Sequence, residues 1–289
     1  QALFPGISLL LVRDHPIDTA FVLGGGGKWG AVEVGMLKAL DEAAIHPDLI
    51  LGTSIGAFNG SVIAQTPGTP GVERLTSLWA DIAASDLLRG SLFERMVSVA
   101  TFKPAMQGSA VLRSLLEGIL GSDSRIEDLH HSFQCVAASI EKTAEHWFEQ
   151  GPLVEAIMAS SAIPALFPPV EIGGEHFYDG GLVNSVPLTR AVELGANRVF
   201  VLQVGRMESD LRPPRRLHEA ALISFEIARR HRFVSTMRNL PEGVEVHVLP
   251  SGNPIEFDDR RQLRWTQLGA TEALVTAGYQ SSVDYLESI

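Results

Sequence analysis

The sequence predicts an α/β fold with a mostly parallel central sheet. Short apolar runs alternate with segments in which apolar residues recur every three or four positions: a strand over 19–23, a helix over 30–44, a strand over 49–51 and a helix over 57–65. Parallel neighbours in a sheet need a crossover connection, which a helix normally supplies. The sequence contains no internal repeat and no low-complexity linker, so we expect a single domain over residues 1–289.

The second half of the chain repeats this alternation. Its apolar patterns predict strands over 133–139, 146–148, 199–204 and 244–249, and helices over 152–160 and 186–194. Residues 66–132 fit the alternation least, because they contain amphipathic segments rich in Leu, Met and Phe. These segments form either core-facing helices or a helical cover region over an apolar cleft. Both interpretations stay open.

Composition and charge exclude some classes of function. With 34 acidic and 23 basic side chains the formal net charge is −11, which argues against nucleic acid as a partner. One region differs: an Arg-rich helix followed by a strand is predicted over about 206–250, and residues 206–238 hold eight arginines and four acids. This helix either contacts anionic lipid head groups or is a solvated face. No apolar run approaches the ~18 residues of a membrane span.

A glycine-rich loop, GGGGKWG at 24–30, follows the first strand and opens the first helix. Closely spaced backbone N–H groups at a helix N-terminus bind anions, so an anion is expected here. A dinucleotide is one candidate, because the loop satisfies G-x-G-x-x-G and Asp48 follows it. A P-loop phosphate is excluded, since Lys28 is followed by Trp29 rather than Ser or Thr. The third candidate is a transient oxyanion in acyl transfer.

A second glycine motif, GTSIG at 52–56, favours the oxyanion. Its Ser54 stands where an apolar strand ends and a helix begins, with small residues on both sides. This arrangement is typical of a nucleophile elbow, in which a tight turn exposes the serine hydroxyl. The alternative is that Ser54 only caps the following helix. We predict that Ser54 is a nucleophile.

A serine nucleophile needs a base. His218, His231 and His247 follow Ser54 in the chain, but none stands in a site-like setting: His247 lies in the apolar strand VEVHVL, and His231 lies in the Arg-rich helix. Asp179 differs, because FYDGGLVNSVP places its carboxylate directly before two glycines and a following helix. A turn aspartate is the alternative. A shielded carboxylate can act as the general base.

Three segments together resemble the patatin-like phospholipases: LGGGGKWGAVEVGMLKALDE, ILGTSIGAFNGSVIA and ASSAIPALFPPVEIGGEHFYDGGLVNSVPL. The resemblance covers most of residues 19–205. It implies a three-layer α/β/α patatin-like fold, a Ser/Asp dyad without histidine and hydrolysis of lipid acyl esters. Position by position, it implies that Ser54 is the nucleophile, that Asp179 is the base, and that the oxyanion hole is formed by Gly25, Gly26 and Gly27.

One residue departs from the family pattern, which has a basic residue directly before the last glycine of the loop. Trp29 stands there, with Lys28 one place earlier, so head-group preference stays open. The resemblance implies a lipid or acyl-ester substrate, no cofactor and no metal. We expect a cytoplasmic protein, with peripheral membrane contact as an open option. The alternatives are an acyltransferase that uses the same dyad, a non-catalytic lipid-binding protein and a dinucleotide-binding protein.

Overall fold

The structure is a computed structural model that describes residues 17–84, 102–164, 167–204, 211, 213, 217–252 and 268–289. Two features named from the sequence lie wholly or largely outside these residues. One is the amphipathic segment 92–102 of the helical cover region. The other is the first part of the Arg-rich region, including Arg206, Arg212, Arg215 and Arg216.

The described strands form one sheet in the order β5-β6-β3-β2-β1-β7-β8, with β4 also paired to β3. Their bounds are β1 (Thr19–Leu23), β2 (Leu49–Thr53), β3 (Ser132–Ser139), β4 (Ala144–Phe148), β5 (Val170–Ile172), β6 (Glu175–Asp179), β7 (Arg198–Leu202) and β8 (Glu245–Leu249). The neighbours from β3 to β8 along this order are parallel. β4 and β6 are antiparallel to β3, and β5 is antiparallel to β6. The sheet is therefore mostly parallel, as expected.

Helices connect the parallel strands. They are α1 (Gly30–Glu42), α2 (Ile55–Gln65), α3 (Thr69–Ala84), α4 (Phe102–Leu120), α5 (Leu153–Ser160), α6 (Gly181–Asn184), α7 (Leu188–Glu193), α8 (Leu217–Arg238) and α9 (Leu268–Leu286). Every strand and helix given definite bounds from the sequence is present, with ends within two residues of the prediction. The hairpin of β5 and β6 and the helix α9 were not predicted.

Alternate residues of the central strands face two separate cores. Phe21 and Phe200 belong to a core with α1, α2 and α5. Val22 and Val201 belong to a second core, on the opposite face, with α7 and α8. Side chains of a strand alternate between faces, so a sheet with a core on each face is buried between two helical layers. This confirms the predicted three-layer α/β/α architecture.

The described part of the region 66–132 packs on the first core. Helix α3 buries Leu75 and Trp79, and α4 buries Leu116 and Leu120. Each such side chain contributes about 2–3 kcal/mol when fully buried. These two helices are thus core-facing on the residues described, and whether the region also covers a cleft stays a prediction. No described helix is long and apolar enough to cross a membrane.

Candidate active site

The sheet register brings the ends of β2 and β6 together. Val136 of β3 pairs with Thr53 of β2 and also with a residue of β4, so β2 and β4 lie on opposite edges of β3. The next residue, Ala137, pairs with β4 and with Asp179 of β6, which places β6 on the same edge as β2. Because β2 is parallel and β6 antiparallel to β3, the two strands run towards each other and end at consecutive positions of β3.

Ser54 lies at this meeting point, in a strained turn. Its backbone has φ 55° and ψ −121°, a conformation that costs on the order of 1–3 kcal/mol for a non-glycine residue. Both glycines of GTSIG are needed for close approach: a Cβ at Gly52 would lie 2.4 Å from the Ala57 Cα, and one at Gly56 would lie 2.4 Å from the Leu23 carbonyl oxygen. The Ser54 side chain makes no capping hydrogen bond to α2, so the capping interpretation has no support.

The Ser54 hydroxyl donates instead to Asp179. The distance from Ser54 Oγ to Asp179 Oδ2 is 2.6 Å, and the two residues are 6% and 5% exposed. The other carboxylate oxygen, Oδ1, accepts the Gly181 N–H at 2.7 Å. Burial raises the pKa of the Asp179 carboxyl from 3.8 to about 6, although both hydrogen bonds oppose this rise. A carboxyl with that pKa is mostly ionised at neutral pH and can accept a proton.

The glycine loop lies beside Ser54 but does not offer all three predicted donors. The Gly25 N–H donates to the Ser185 carbonyl oxygen at 2.9 Å, so in this structure it is not free to bind an oxyanion. The prediction for Gly25 is corrected accordingly: its N–H group holds the start of the loop to Ser185. The Gly26 and Gly27 N–H groups have no acceptor among the described residues.

The features that suggested a dinucleotide lie at opposite ends of the sheet. Asp48 Oδ2 accepts the N–H groups of Asp18 and Thr19, at the amino end of β1. The glycine loop follows the carboxyl end of the same strand, and five residues of strand span about 16 Å. Asp48 is therefore too far from the loop to hold the ribose of a nucleotide bound there.

The histidines named from the sequence are not beside the dyad where they are described. His247 is stacked on Phe200, with ring centroids 4.8 Å apart, and its Nδ1 lies 3.1 Å from the Tyr285 hydroxyl. Its strand β8 is three positions from β2, about 14 Å away. His231 is exposed on α8, and the His218 side chain lies outside the described residues. Over the described part of the chain, no histidine hydrogen-bonds to Ser54 or Asp179.

Trp29, which stands where the patatin-like pattern has a basic residue, takes part in packing. Trp29 is half-buried and contacts the first core. The Lys28 side chain lies outside the described residues. Trp29 thus packs against the first core at the end of the glycine loop, where the family pattern has a basic residue.

Two polar residues of this region were missed in the sequence. Ser160 is fully buried and its hydroxyl accepts the Ser54 N–H at 2.9 Å. Glu33 is also fully buried, on α1, and accepts a hydrogen bond from the Asn59 amide at 2.8 Å. For both, the available signal was a polar residue in an apolar context, ASSAI for Ser160 and AVEVG for Glu33. Such a residue is usually hydrogen-bonded in the core, but the sequence does not name its partner.

A family model and several known proteins resemble the chain. A family model described as patatin-like phospholipase matches residues 21–192. Lysophospholipase nte1 of Aspergillus terreus is 32% identical over 201 residues, 67% of this chain and 12% of that protein. Patatin-like phospholipase domain-containing protein 6 of Homo sapiens is 33% identical over 196 residues, 66% of this chain and 14% of that protein. The chain thus spans a small part of these relatives.

Among solved structures, VipD from Legionella pneumophila is similar with a TM-score of 0.49 and 14% identity, covering 95% of this chain and 67% of that one. The family model, by contrast, spans more than half of the sequence and includes Ser54, Asp179 and the loop at 24–30. By this match, the chain belongs to the patatin-like phospholipase family.

Proposed function

We propose that the chain hydrolyses acyl esters of lipids with a catalytic dyad of Ser54 and Asp179. The observation that carries the proposal is the 2.6 Å hydrogen bond from the Ser54 hydroxyl to a buried carboxylate. A serine hydroxyl becomes a useful nucleophile when a positioned base accepts its proton. The hydrogen bond supports Asp179 as that base, and family membership supports a lipid substrate.

The reaction begins with proton transfer. Asp179 Oδ2 accepts the Ser54 proton as Ser54 Oγ forms a bond to the ester carbonyl carbon, and the carbonyl electrons move onto the oxygen. When the tetrahedral intermediate collapses, the leaving alcohol takes the proton from Asp179 and an acyl-serine remains. Water then attacks the acyl-serine with Asp179 again as the base, and the fatty acid and the free serine are released.

The Gly26 and Gly27 N–H groups are the proposed donors to the oxyanion. They are on the loop beside Ser54 and have no acceptor among the described residues. Donors that are already in place at the start of the reaction stabilise the developing charge without reorganisation, and the loss of one typically costs about 3 kcal/mol. Gly25, with its N–H bound to Ser185, instead fixes the start of the loop.

Exposed apolar side chains in the segments that carry the site support a lipid substrate. Leu182 is 45% exposed and follows Asp179 by three residues, and Ile163 is 36% exposed and follows Ser160 by three residues. Large exposed apolar side chains suit contact with an acyl chain or with the surface of a lipid aggregate. Peripheral membrane contact is therefore part of the proposal.

The experiment measures free fatty acid released from p-nitrophenyl esters and from vesicles of phosphatidylcholine or lysophosphatidylcholine. The wild-type chain should release fatty acid, and Ser54→Ala should lower kcat by about 10⁴-fold or more. Ser61→Ala is the matched control, because Ser61 is a buried serine on α2 that donates to the Phe58 carbonyl oxygen. Undiminished release by Ser54→Ala would refute the proposal, and transfer of the acyl group to an added alcohol in preference to water would assign an acyltransferase.

A further inference from the structure

We propose that residues 160–162 form a clamp that fixes the nucleophile and the base relative to each other, with Ser160 as a positioning residue. The inference rests on the proposed function of Ser54 and Asp179. It concerns how the distance between these two residues is set, and it assigns a use to a side chain that has no direct part in the chemistry.

The Ser160 hydroxyl makes two hydrogen bonds, one as acceptor and one as donor. It accepts the Ser54 N–H at 2.9 Å and donates to the Val136 carbonyl oxygen at 2.7 Å. The residue is fully buried, so water does not compete for either hydrogen bond. The hydroxyl therefore ties the backbone of the nucleophile to the central strand β3, on which β2 and β6 also pair.

The backbone of the same segment holds the base. The Asp179 N–H donates to the Ala162 carbonyl oxygen at 2.9 Å, and the Gly180 N–H donates to the Ser160 carbonyl oxygen at 3.2 Å. Ser160 is the last residue of α5. The final carbonyl groups of a helix lack partners within the helix, so they are free to accept hydrogen bonds from another segment. Within this segment, Ser160 thus contacts the backbone of Ser54, and Ala162 contacts the backbone of Asp179.

The turn at Ser54 explains why such a clamp is needed. With φ 55° and ψ −121°, Ser54 occupies a backbone conformation that persists only where the surroundings hold it. The Ser160 hydroxyl supplies the acceptor for its N–H. Without that acceptor a buried N–H would be left unsatisfied, and relaxation of the turn would move Ser54 Oγ away from Asp179 Oδ2.

The first test compares two buried serines. Ser160→Ala should lower kcat by about 10–100-fold with KM changed less than about twofold, because Ser160 acts on the geometry of the dyad and does not contact substrate. Ser160→Thr, which keeps the hydroxyl, should recover most of the loss. Ser61→Ala also removes a buried hydroxyl but should leave kcat within about twofold of wild type. Wild-type kcat in Ser160→Ala, or an equal loss in Ser61→Ala, would overturn the proposal.

A second test uses the wild-type chain, so it does not depend on whether any variant folds. The Ser54 amide proton should exchange with solvent as slowly as amides of β1, because the Ser160 hydroxyl holds it. Rapid exchange at Ser54 in a folded chain would overturn the clamp. This result is separate from the proposed function: an inactive wild-type chain would refute the hydrolase, whereas slow exchange would still support the clamp.

Discussion

Two buried carboxyl groups, Asp179 and Glu33, differ in the hydrogen bonds that they accept. Both of the Asp179 oxygens are occupied, one by the Ser54 hydroxyl and one by the Gly181 N–H. Glu33 accepts from the Asn59 amide through Oε2, and its Oε1 has no partner in the part of the chain that the structure describes. Burial raises the pKa of both carboxyl groups, to about 6 for Asp179 and well above 4.5 for Glu33.

This difference shows that burial alone does not make a carboxyl group a base. A carboxylate in a low-dielectric interior needs donors to remain charged, and Asp179 has one at each oxygen. Glu33 has too few donors, so we expect it to be neutral. Its contacts are structural: Asn59 joins Glu33 to the Gly30 carbonyl oxygen, and the Trp79 indole N–H donates to Asn59 at 3.0 Å. Glu33 thus belongs to the support beneath the glycine loop.

The largest contrast is expected when each carboxyl group is replaced by the matching carboxamide. Asp179→Asn removes the proposed base and should lower kcat by about 10⁴-fold. Glu33→Gln keeps a neutral hydrogen-bonding group of the same size and should change kcat by less than about threefold, which corresponds to less than 1 kcal/mol. Steady-state hydrolysis of a p-nitrophenyl ester measures both. Equal losses in the two variants would mean that the assignment of the charged and the neutral group is wrong.

The second contrast concerns how the free energy of unfolding changes with pH. Because the pKa of Asp179 is higher in the folded chain than its usual 3.8, its stabilising contribution is complete below about pH 4 and is lost as pH rises through about 6. At about pH 8 Asp179→Asn should therefore be more stable than wild type, by about 1–3 kcal/mol. Urea unfolding at several pH values measures this. A variant that is less stable than wild type at every pH would contradict the cause given for the raised pKa.

A third change removes the Glu33 side chain instead of replacing its carboxyl group. Glu33→Ala leaves the Asn59 amide with one acceptor fewer and opens a cavity in the first core, so the free energy of unfolding should fall by about 2–4 kcal/mol. Glu33→Gln is the matched control and should lose much less. Thermal unfolding of the two variants distinguishes them, and equal stability of Glu33→Ala and wild type would show that Glu33 does not support the loop.

The smallest effect is expected from the histidines. A chain with His218→Gln, His231→Gln and His247→Gln should keep kcat within about threefold of wild type, because the proposed dyad needs no histidine. His247 is stacked on Phe200, so a stability loss of about 1 kcal/mol is expected. The ester assay and a thermal melt measure the two quantities. A hundredfold fall in kcat without unfolding would replace the dyad with a triad.

The sequence predicts local features of the site better than its long-range contacts. Ser54 could be found because the strand, the two glycines and the following helix are adjacent in the chain, and the structure has the strained turn that this motif predicts. The pairing of β6 on the same edge of β3 as β2 has no local pattern in the sequence, so the approach of Asp179 to Ser54 is implied only by the family resemblance. The hairpin of β5 and β6 does have a local signal, because its two-residue turn is Gly173-Gly174 with both glycines at positive φ.

Which backbone N–H groups are free to donate to an oxyanion depends still more on distant residues. Nothing in the run of glycines distinguishes Gly25 from Gly26, because the distinction comes from the Ser185 carbonyl oxygen, far along the chain. Ser160 is similar, since its importance depends on the N–H of a residue that precedes it by more than a hundred positions. Spacing and composition identify residue types that can act, and the fold decides which partners they meet.

The most direct test of the dyad is the rate at which a fluorophosphonate probe labels Ser54 as pH is varied, with the labelled residue identified by mass spectrometry. The wild-type chain should be labelled at Ser54, with a rate that rises with pH around a midpoint of about 6 as Asp179 ionises. Asp179→Asn should be labelled far more slowly at every pH. Labelling at another residue, or equally fast labelling of Asp179→Asn, would contradict the assignment of Ser54 and Asp179 as nucleophile and base.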